Sequence, residues 1–303
     1  MTEDEQLKSY QQIFNKAKEQ ESRRIAVAGA EGKSVLQALN KAMTEGIAQP
    51  VLVGQADKIK SLADEIGMDI SGVDIHNTSD ELSSAQTAVR LVHEGAADAL
   101  MKGKVSTPAL LKQVLNKEYN LRTGRLLSHA AVLEIPVYHK LVMITDGGMV
   151  IRPTLEQKAD IVRNGVQVMH KLDIARPKVA ALAAIEKINP DMPATGEARQ
   201  LEEMALQGEL GSCELEGPMA IDVAFSRDAA EKKGIESRIA GNPDILLMPD
   251  ISSGNIFAKG LWHLASAQIG GLVIGARVSI ILLSRSDDAQ TKLNSLALAA
   301  VTA

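Results

Sequence analysis

Short apolar runs alternate with stretches of helical apolar spacing along almost the whole chain. After a polar helix predicted over residues 6–20, the run Arg24-Ile-Ala-Val-Ala28 reads as a strand entering the turn Gly29-Ala-Glu-Gly32. Helices follow over 35–43, 56–66, 79–95 and 108–115, with strands at 50–54 and 99–101 between them. Apolar runs at 130–132 and 141–145 close this half. In the second half a helix over 155–172 precedes strands at 179–183 and 245–248, separated by a break at Asn189-Pro190-Asp-Met-Pro193 and a helix over 194–208. The turn Pro249-Asp250-Ile-Ser-Ser-Gly254-Asn255 leads to a helix over 256–267. Strands and helices alternating at this spacing mean parallel β-α-β units, hence an α/β fold.

The last such unit is the most informative. Val278 to Leu283 is an apolar, β-branched run of the kind buried on both faces of a sheet. The following residues have helical spacing, with Leu293, Leu296, Ala297 and Ala300 on one stripe, Ser286 or Asp287 as N-cap and Gln290 three residues after Asp287. Ser284 and Arg285 therefore leave a strand's carboxyl end and face a helix N-terminus, where unpaired N–H groups and the helix dipole favour an anion. Two readings stand here. Arg285 binds a phosphate or carboxylate, or it pairs with Asp287 or Asp288 on the surface.

Composition narrows the partners. The chain has 303 residues, 45% hydrophobic and 23% charged, as in an ordinary soluble protein of one large or two smaller domains. A net charge of -5 gives no global basic field for nucleic acid or an anionic membrane, and aromatics at 2% give no stacking platform for single strands. No apolar run approaches the ~20 residues of a membrane span. A lone Cys213 excludes an internal disulfide, and Met1 to Tyr10 lacks the apolar core of a signal peptide. The expectation is a cytoplasmic chain.

Three familiar chemistries are also disfavoured. Gly29-x-x-Gly32-Lys33-Ser34 has two residues between its glycines where a P-loop needs four, so it reads as a strand-to-helix turn. His76, His93, His129, His139, His170 and His263 show no i, i+3 or i, i+4 pair, and no metal is expected. Cys213 has no neighbouring base and reads as a packing residue. Two more basic turns remain: Lys102, Lys104, Ser106 and Thr107 at a strand end, and Arg122-Thr-Gly-Arg125 with Ser128 and His129 behind it. Each alone suits a solvated surface. Together with Arg285 they suit a ligand carrying several phosphates.

The stretches Thr145-Asp146-Gly-Gly-Met-Val-Ile-Arg152-Pro153-Thr154, Glu186-Lys-Ile-Asn189-Pro190-Asp-Met-Pro193, Glu216-Gly-Pro-Met-Ala-Ile-Asp222, Pro249-Asp250-Ile-Ser-Ser-Gly254-Asn255-Ile-Phe-Ala-Lys259 and Leu283-Ser284-Arg285-Ser286-Asp287 occur in that order. Together they resemble the phosphate acetyl/butyryltransferase family from about Ala99 onward. Glu186 to Pro193 and Arg122 to Ser128 are similar to the butyryl branch; the first 95 or so residues match in general layout.

The resemblance implies a two-domain α/β/α sandwich with mostly parallel sheets, like isocitrate and isopropylmalate dehydrogenases, the final segment returning to the first domain. The expected bounds are 1–146 plus 283–303 for one domain and 147–282 for the other. It also implies the reaction acyl-CoA plus phosphate giving acyl phosphate plus CoA, through a ternary complex. Coenzyme A would be substrate or product and no cofactor permanently bound; a homodimer or higher homo-oligomer is expected.

By the same resemblance Arg285 would clamp phosphate and Ser284 would hydrogen-bond the oxyanion, with Asp287 and Asp288 nearby as carboxylates or caps. Lys104, Ser106, Thr107, Arg122, Arg125, Ser128, Asp146, Asn189, Asp222, Asp250, Gly254, Asn255 and Lys259 would contact substrate or CoA, in a cleft between the domains. Two departures matter. The acetyl-transferring members carry a carboxylate where this chain has about Thr291, and an arginine where it has Lys112. The rival readings are a decarboxylating dehydrogenase of similar fold, which would need a metal-binding aspartate set, and an inactive CoA or acyl-phosphate sensor.

Overall fold

The structure, a computed structural model, describes residues 7–282 and 287–303. The chain divides into two compact units, Ser9–Arg125 with Gln268–Ala303, and Leu126–Ala267 with Leu7 and Lys8.

The first unit begins with α1 (Tyr10–Glu19), whose apolar stripe of Tyr10, Ile13, Phe14 and Ala17 is buried at i, i+3, i+4, i+7 spacing. Then come β1 (Arg23–Ala28), α2 (Lys33–Thr44), β2 (Ala48–Gly54), α3 (Ala56–Ile66), β3 (Asp74–Asn77), α4 (Glu81–His93), β4 (Ala99–Lys102) and α5 (Thr107–Val114). Local chemistry sets several ends. Gly67, at φ 68°, stops α3 in the left-handed conformation that only glycine adopts without strain. Asp80 and Ser83 form a reciprocal capping box at the start of α4.

The second unit contains β5 (Ser128–Glu134), β6 (Val142–Thr145), α6 (Leu155–Lys171), β7 (Lys178–Leu182), α7 (Pro193–Leu206), β8 (Glu214–Met219), α8 (Ile221–Phe225), α9 (Arg227–Lys232), β9 (Ile245–Leu247) and α10 (Ile251–Leu264). The chain then returns to the first unit with β10 (Gln268–Ile274), β11 (Ile280–Leu282) and α11 (Ala289–Thr302).

In the first unit the strand order is β3-β2-β1-β4-β11-β10. All pairs are parallel except β10 with β11. Ile25 to Ala28, Leu100, Met101, Ile280 and Ile281 are buried, as central strands covered on both faces must be. Helix α11 packs against β10, α1 and α2, and all its residues from Thr291 to Thr302 are buried. In the second unit the order is β5-β6-β9-β7-β8, with only β5 and β6 antiparallel. A buried ion pair locks its base: Lys140 Nζ lies 2.6 Å from Asp244 Oδ1, with side chains 2% and 1% exposed. Asp244 also accepts the Lys178 N–H, which leaves neither charge uncompensated in the interior.

The mostly parallel α/β architecture agrees with the sequence. The unit bounds differ from those expected, because β6 hydrogen-bonds β9 and β11 hydrogen-bonds β4. Three strands went unpredicted, β3, β8 and β10. Helix α10 starts at Ile251, not residue 256, so Gly254 and Asn255 are its fourth and fifth residues. The N-cap of α11 is Asp288, one residue beyond Asp287, and Ser286 lies outside the described residues.

Candidate active site

The chain leaves β1 for β2 on one side and reaches β4 on the other, so the carboxyl ends of β1 and β4 form a topological switch point. The two turns there are stapled together. Gly103 N–H donates to the Ala28 carbonyl at 2.8 Å and Lys104 N–H to the Gly29 carbonyl at 2.6 Å. Gly29 sits at φ 71°, and a Cβ on it would meet Lys104 N at 3.0 Å.

Beside this staple is a cavity of about 610 Å³ whose walls include Lys102, Lys104, Ser106, Thr107, Glu81 and Lys292. Ser106 caps α5 by accepting the Ala109 N–H at 3.3 Å. Glu81 Oε1 accepts the Ser106 N–H at 2.6 Å. Hydrogen bonds from Ser106, side chain then backbone, with the nearby Lys102 charge, hold the Glu81 carboxyl below its ordinary value. Lys102 Nζ points along the turn, 3.4 Å from the Gly103 and Val105 carbonyls. At the start of α11, Asp288 Oδ1 accepts the Thr291 N–H at 2.7 Å, and the ammonium of Lys292 donates to the Asp287 carbonyl.

The Arg122–Arg125 loop belongs to the same unit. Arg122 forms an antiparallel bridge with Ala276, and Thr123 Oγ1 donates to the Gly275 carbonyl at 2.5 Å. The Arg122 side chain is exposed and that of Arg125 half-buried.

A second cluster lies in the other unit. Asp146, 3% exposed, accepts three backbone N–H groups: Gly148 at 2.7 Å, Met149 at 2.9 Å and Val150 at 3.2 Å. Gly254 backs onto this loop, where a Cβ would sit 2.7 Å from the Asp146 carbonyl oxygen and 2.8 Å from Gly147 Cα. Asn255 Nδ2 donates to the Gly147 carbonyl at 3.2 Å. The His129 ring packs on Gly148. Asp250 caps α10 through the Ser253 N–H at 2.9 Å, which holds its carboxyl below the usual value.

Expected site residues thus fall into groups. Lys104, Ser106 and Thr107 share the cavity; Asp146, Asp250, Gly254 and Asn255 share the second cluster. Elsewhere, Asn189 Oδ1 accepts the Asp191 N–H, and Asp222 pairs with Lys233 at 2.8 Å, which lowers the carboxyl and raises the amine. Ser128 is fully buried and accepts from Asn164 Nδ2 at 3.0 Å, while Lys259 is exposed on α10. Ser284 and Arg285 lie outside the described residues. Sequence reasoning missed Glu81 and Lys292. A lysine in the first turn of a helix, where the dipole disfavours a cation, was the available signal for the second. Glu81 reaches Ser106 only through tertiary folding and gave no local signal. No group of three metal-ligating side chains occurs among the described residues.

The family profile described as phosphate acetyl/butaryl transferase matches residues 9–88 and 80–300. The chain belongs to this phosphate acetyl/butyryltransferase family. It is 43% identical over 297 residues to the phosphate butyryltransferase of Clostridium acetobutylicum, spanning 98% of this chain and 99% of that protein. It is 40% identical over 281 residues to the phosphate acetyltransferase of Thermotoga maritima, spanning 93% and 95%. The crystal structure of a branched-chain phosphotransacylase from Enterococcus faecalis superposes with a TM-score of 0.80 at 32% identity, covering 92% of this chain and 98% of that one. A 4-hydroxythreonine-4-phosphate dehydrogenase from Burkholderia phymatum, 16% identical with a TM-score of 0.60 over 93% and 99%, shares the fold. The dehydrogenase-like α/β architecture expected from the sequence is therefore present in a family of acyltransferases.

Proposed function

We propose that this chain is a phosphate butyryltransferase-type enzyme, moving a short-chain acyl group between coenzyme A and inorganic phosphate. The observation that carries the reading is the 43% identity to a phosphate butyryltransferase across 98% of the chain. In the reaction a phosphate oxygen attacks the thioester carbonyl, the C–S bond breaks as the C–O bond of the acyl phosphate forms, and the thiolate takes up a proton. Arg285 clamps the phosphate and Ser284 stabilises the oxyanion. Lys104, Ser106, Thr107, Arg122 and Arg125 serve the anionic groups, and the cluster around Asp146, Gly254 and Asn255 shapes the substrate site. Asp287 and Asp288 are the carboxylates nearest in sequence for proton exchange, and Asp288 also accepts the Thr291 N–H.

A second reading, phosphate acetyltransferase, is favoured by the 40% identity to the Thermotoga maritima enzyme. Release of CoA from acyl-CoA plus phosphate decides between them. With one Trp, three Tyr and three Phe in the chain, an aliphatic acyl pocket is expected, which separates substrates differing by one methylene by only about 1–3 kcal/mol. Turnover of propionyl-, butyryl- and branched four- or five-carbon acyl-CoA is expected, with butyryl near the optimum. Acetyl-CoA as clearly the best substrate would overturn the butyryl assignment, and no CoA release from any of them would mark an inactive homologue.

A further inference from the structure

Among the described residues, the charged side chains lining the switch-point cavity are Lys102, Lys104, Lys292 and one carboxylate, Glu81. That carboxylate already accepts the Ser106 N–H, so its charge is partly used on the backbone. Lys292 is out of place by ordinary rules. It stands in the first turns of α11, where helix dipole and unpaired N–H groups oppose a cation, and it is only 5% exposed. An ammonium has three N–H groups, and among the described residues the acceptor Lys292 meets is the Asp287 carbonyl. Keeping a cation in such surroundings costs folding free energy unless an anion joins it. The same helix end that opposes the lysine favours that anion, and two further ammonium groups share its cavity.

We propose that Lys292, with Lys102 and Lys104, holds a phosphoryl dianion in this cavity and is a further substrate-binding residue of the enzyme. For the identity of the anion this rests on the acyltransferase reading. It is either the phosphate that becomes the acyl phosphate or a phosphate of coenzyme A.

Lys292→Met keeps the buried stem and removes the charge, and Lys292→Arg restores it. Steady-state kinetics of both variants are compared with the wild type, after thermal unfolding has shown each variant folded. Loss of one charge-assisted contact is expected to raise a KM by about 10- to 100-fold, with partial rescue in the arginine variant. A rise confined to the phosphate KM identifies inorganic phosphate. A rise confined to the acyl-CoA KM, matched in the wild type by using the 3′-dephospho-CoA thioester, identifies the nucleotide phosphate. Calorimetric titration of inorganic phosphate and of CoA into wild type and Lys292→Met reads the same site without turnover. A fall in affinity for either supports the subsite. Both KM values within about 3-fold of wild type, with unchanged or absent binding in both titrations, overturn it. A wild-type protein inactive on every acyl-CoA would sink the acyltransferase reading alone, and the titrations would then decide the anion subsite by themselves.

Discussion

Gly103 and Gly29 approach so closely that a Cβ on Gly103 would lie 2.2 Å from the Gly29 carbonyl oxygen and 2.9 Å from that of Ala28. Both obstacles are backbone, so no side chain can turn aside. The contact presses the β4–α5 turn against the β1–α2 turn and thereby sets the position of Lys102, Lys104 and Ser106.

Gly103→Ala is accordingly expected to force the two turns apart. It should destabilise the protein by at least about 2 kcal/mol in urea unfolding, the upper part of the usual cost of overpacking, and activity should fall further than the loss of folded protein explains. Gly72→Ala, where no atom lies within 4 Å of the added Cβ, is the control and should be nearly silent. Equal behaviour of the two variants would remove the structural role given to this contact.

Asp146 presents a comparable case in the second unit, where one carboxylate satisfies three backbone donors. Asp146→Ala leaves those N–H groups without their acceptor in a part-buried loop, at an expected cost of about 1–3 kcal/mol. Asp146→Asn retains one carbonyl oxygen and should recover part of it. Denaturant midpoints measure both, and a change in Asp146→Ala below about 0.5 kcal/mol, the range of an ordinary surface substitution, would show the loop to be self-supporting.

The strands and helices that sequence reading located are those whose burial is written in consecutive residues. Ile25 to Ala28 and Leu100–Met101 are apolar runs because parallel central strands are covered on both faces. Strand β3, Asp-Ile-His-Asn, has no such run, since it is an edge strand with no fully buried residue. Strand β10 was hidden by Gly270 and Gly271. A Cβ on Gly270 would meet Tyr10 Oη at 2.7 Å and the Asn294 backbone at 2.9 Å, contacts far away in sequence. Gly254 misled in the same way, for a glycine reads as a helix breaker, yet here it sits inside α10 because the Asp146–Gly147 backbone leaves no room for a side chain. The anion-ready turns were legible because Lys102, Lys104 and Ser106 are adjacent in sequence. Lys292 joins them only when β11 is laid beside β4.

Cys213 gives a pH prediction. Burial pushes its thiol from 9.0 up to about 11, with the Arg176 charge opposing part of the shift. The folded state therefore favours the protonated thiol, and this contribution is fully present below about pH 9. As pH rises from 9 towards 11, the unfolded chain loses its thiol proton first and the contribution fades. Urea midpoints should fall between pH 9 and 10.5 more steeply in the wild type than in Cys213→Ala, a difference that cancels the tyrosines, including the buried, upward-shifted Tyr138. Parallel curves would place the thiol in contact with water. Alkylation by iodoacetamide at pH 8 should likewise be slow compared with an exposed cysteine, because the thiolate is the reactive form.

The proposed role of Arg285 as phosphate clamp is open to a direct test. A doubly charged phosphate entering a partly desolvated site requires a fixed cation, and a guanidinium offers two donors in one plane that a lysine ammonium cannot reproduce. Because the phosphate is the attacking group, removing the cation weakens its binding and also its alignment with the thioester carbonyl. Arg285→Ala is expected to cut kcat/KM by at least about 100-fold, about 2.7 kcal/mol of transition-state stabilisation. CoA affinity should largely survive, and Arg285→Lys should recover only part of the rate. The contrast with Lys292→Met separates two kinds of cation: loss of a holding charge raises a KM, whereas loss of the aligning clamp lowers kcat as well. A near-normal kcat and phosphate KM in Arg285→Ala would return that arginine to a surface partner of Asp287, and the phosphate would then be held by Lys104, Arg125 and Lys292.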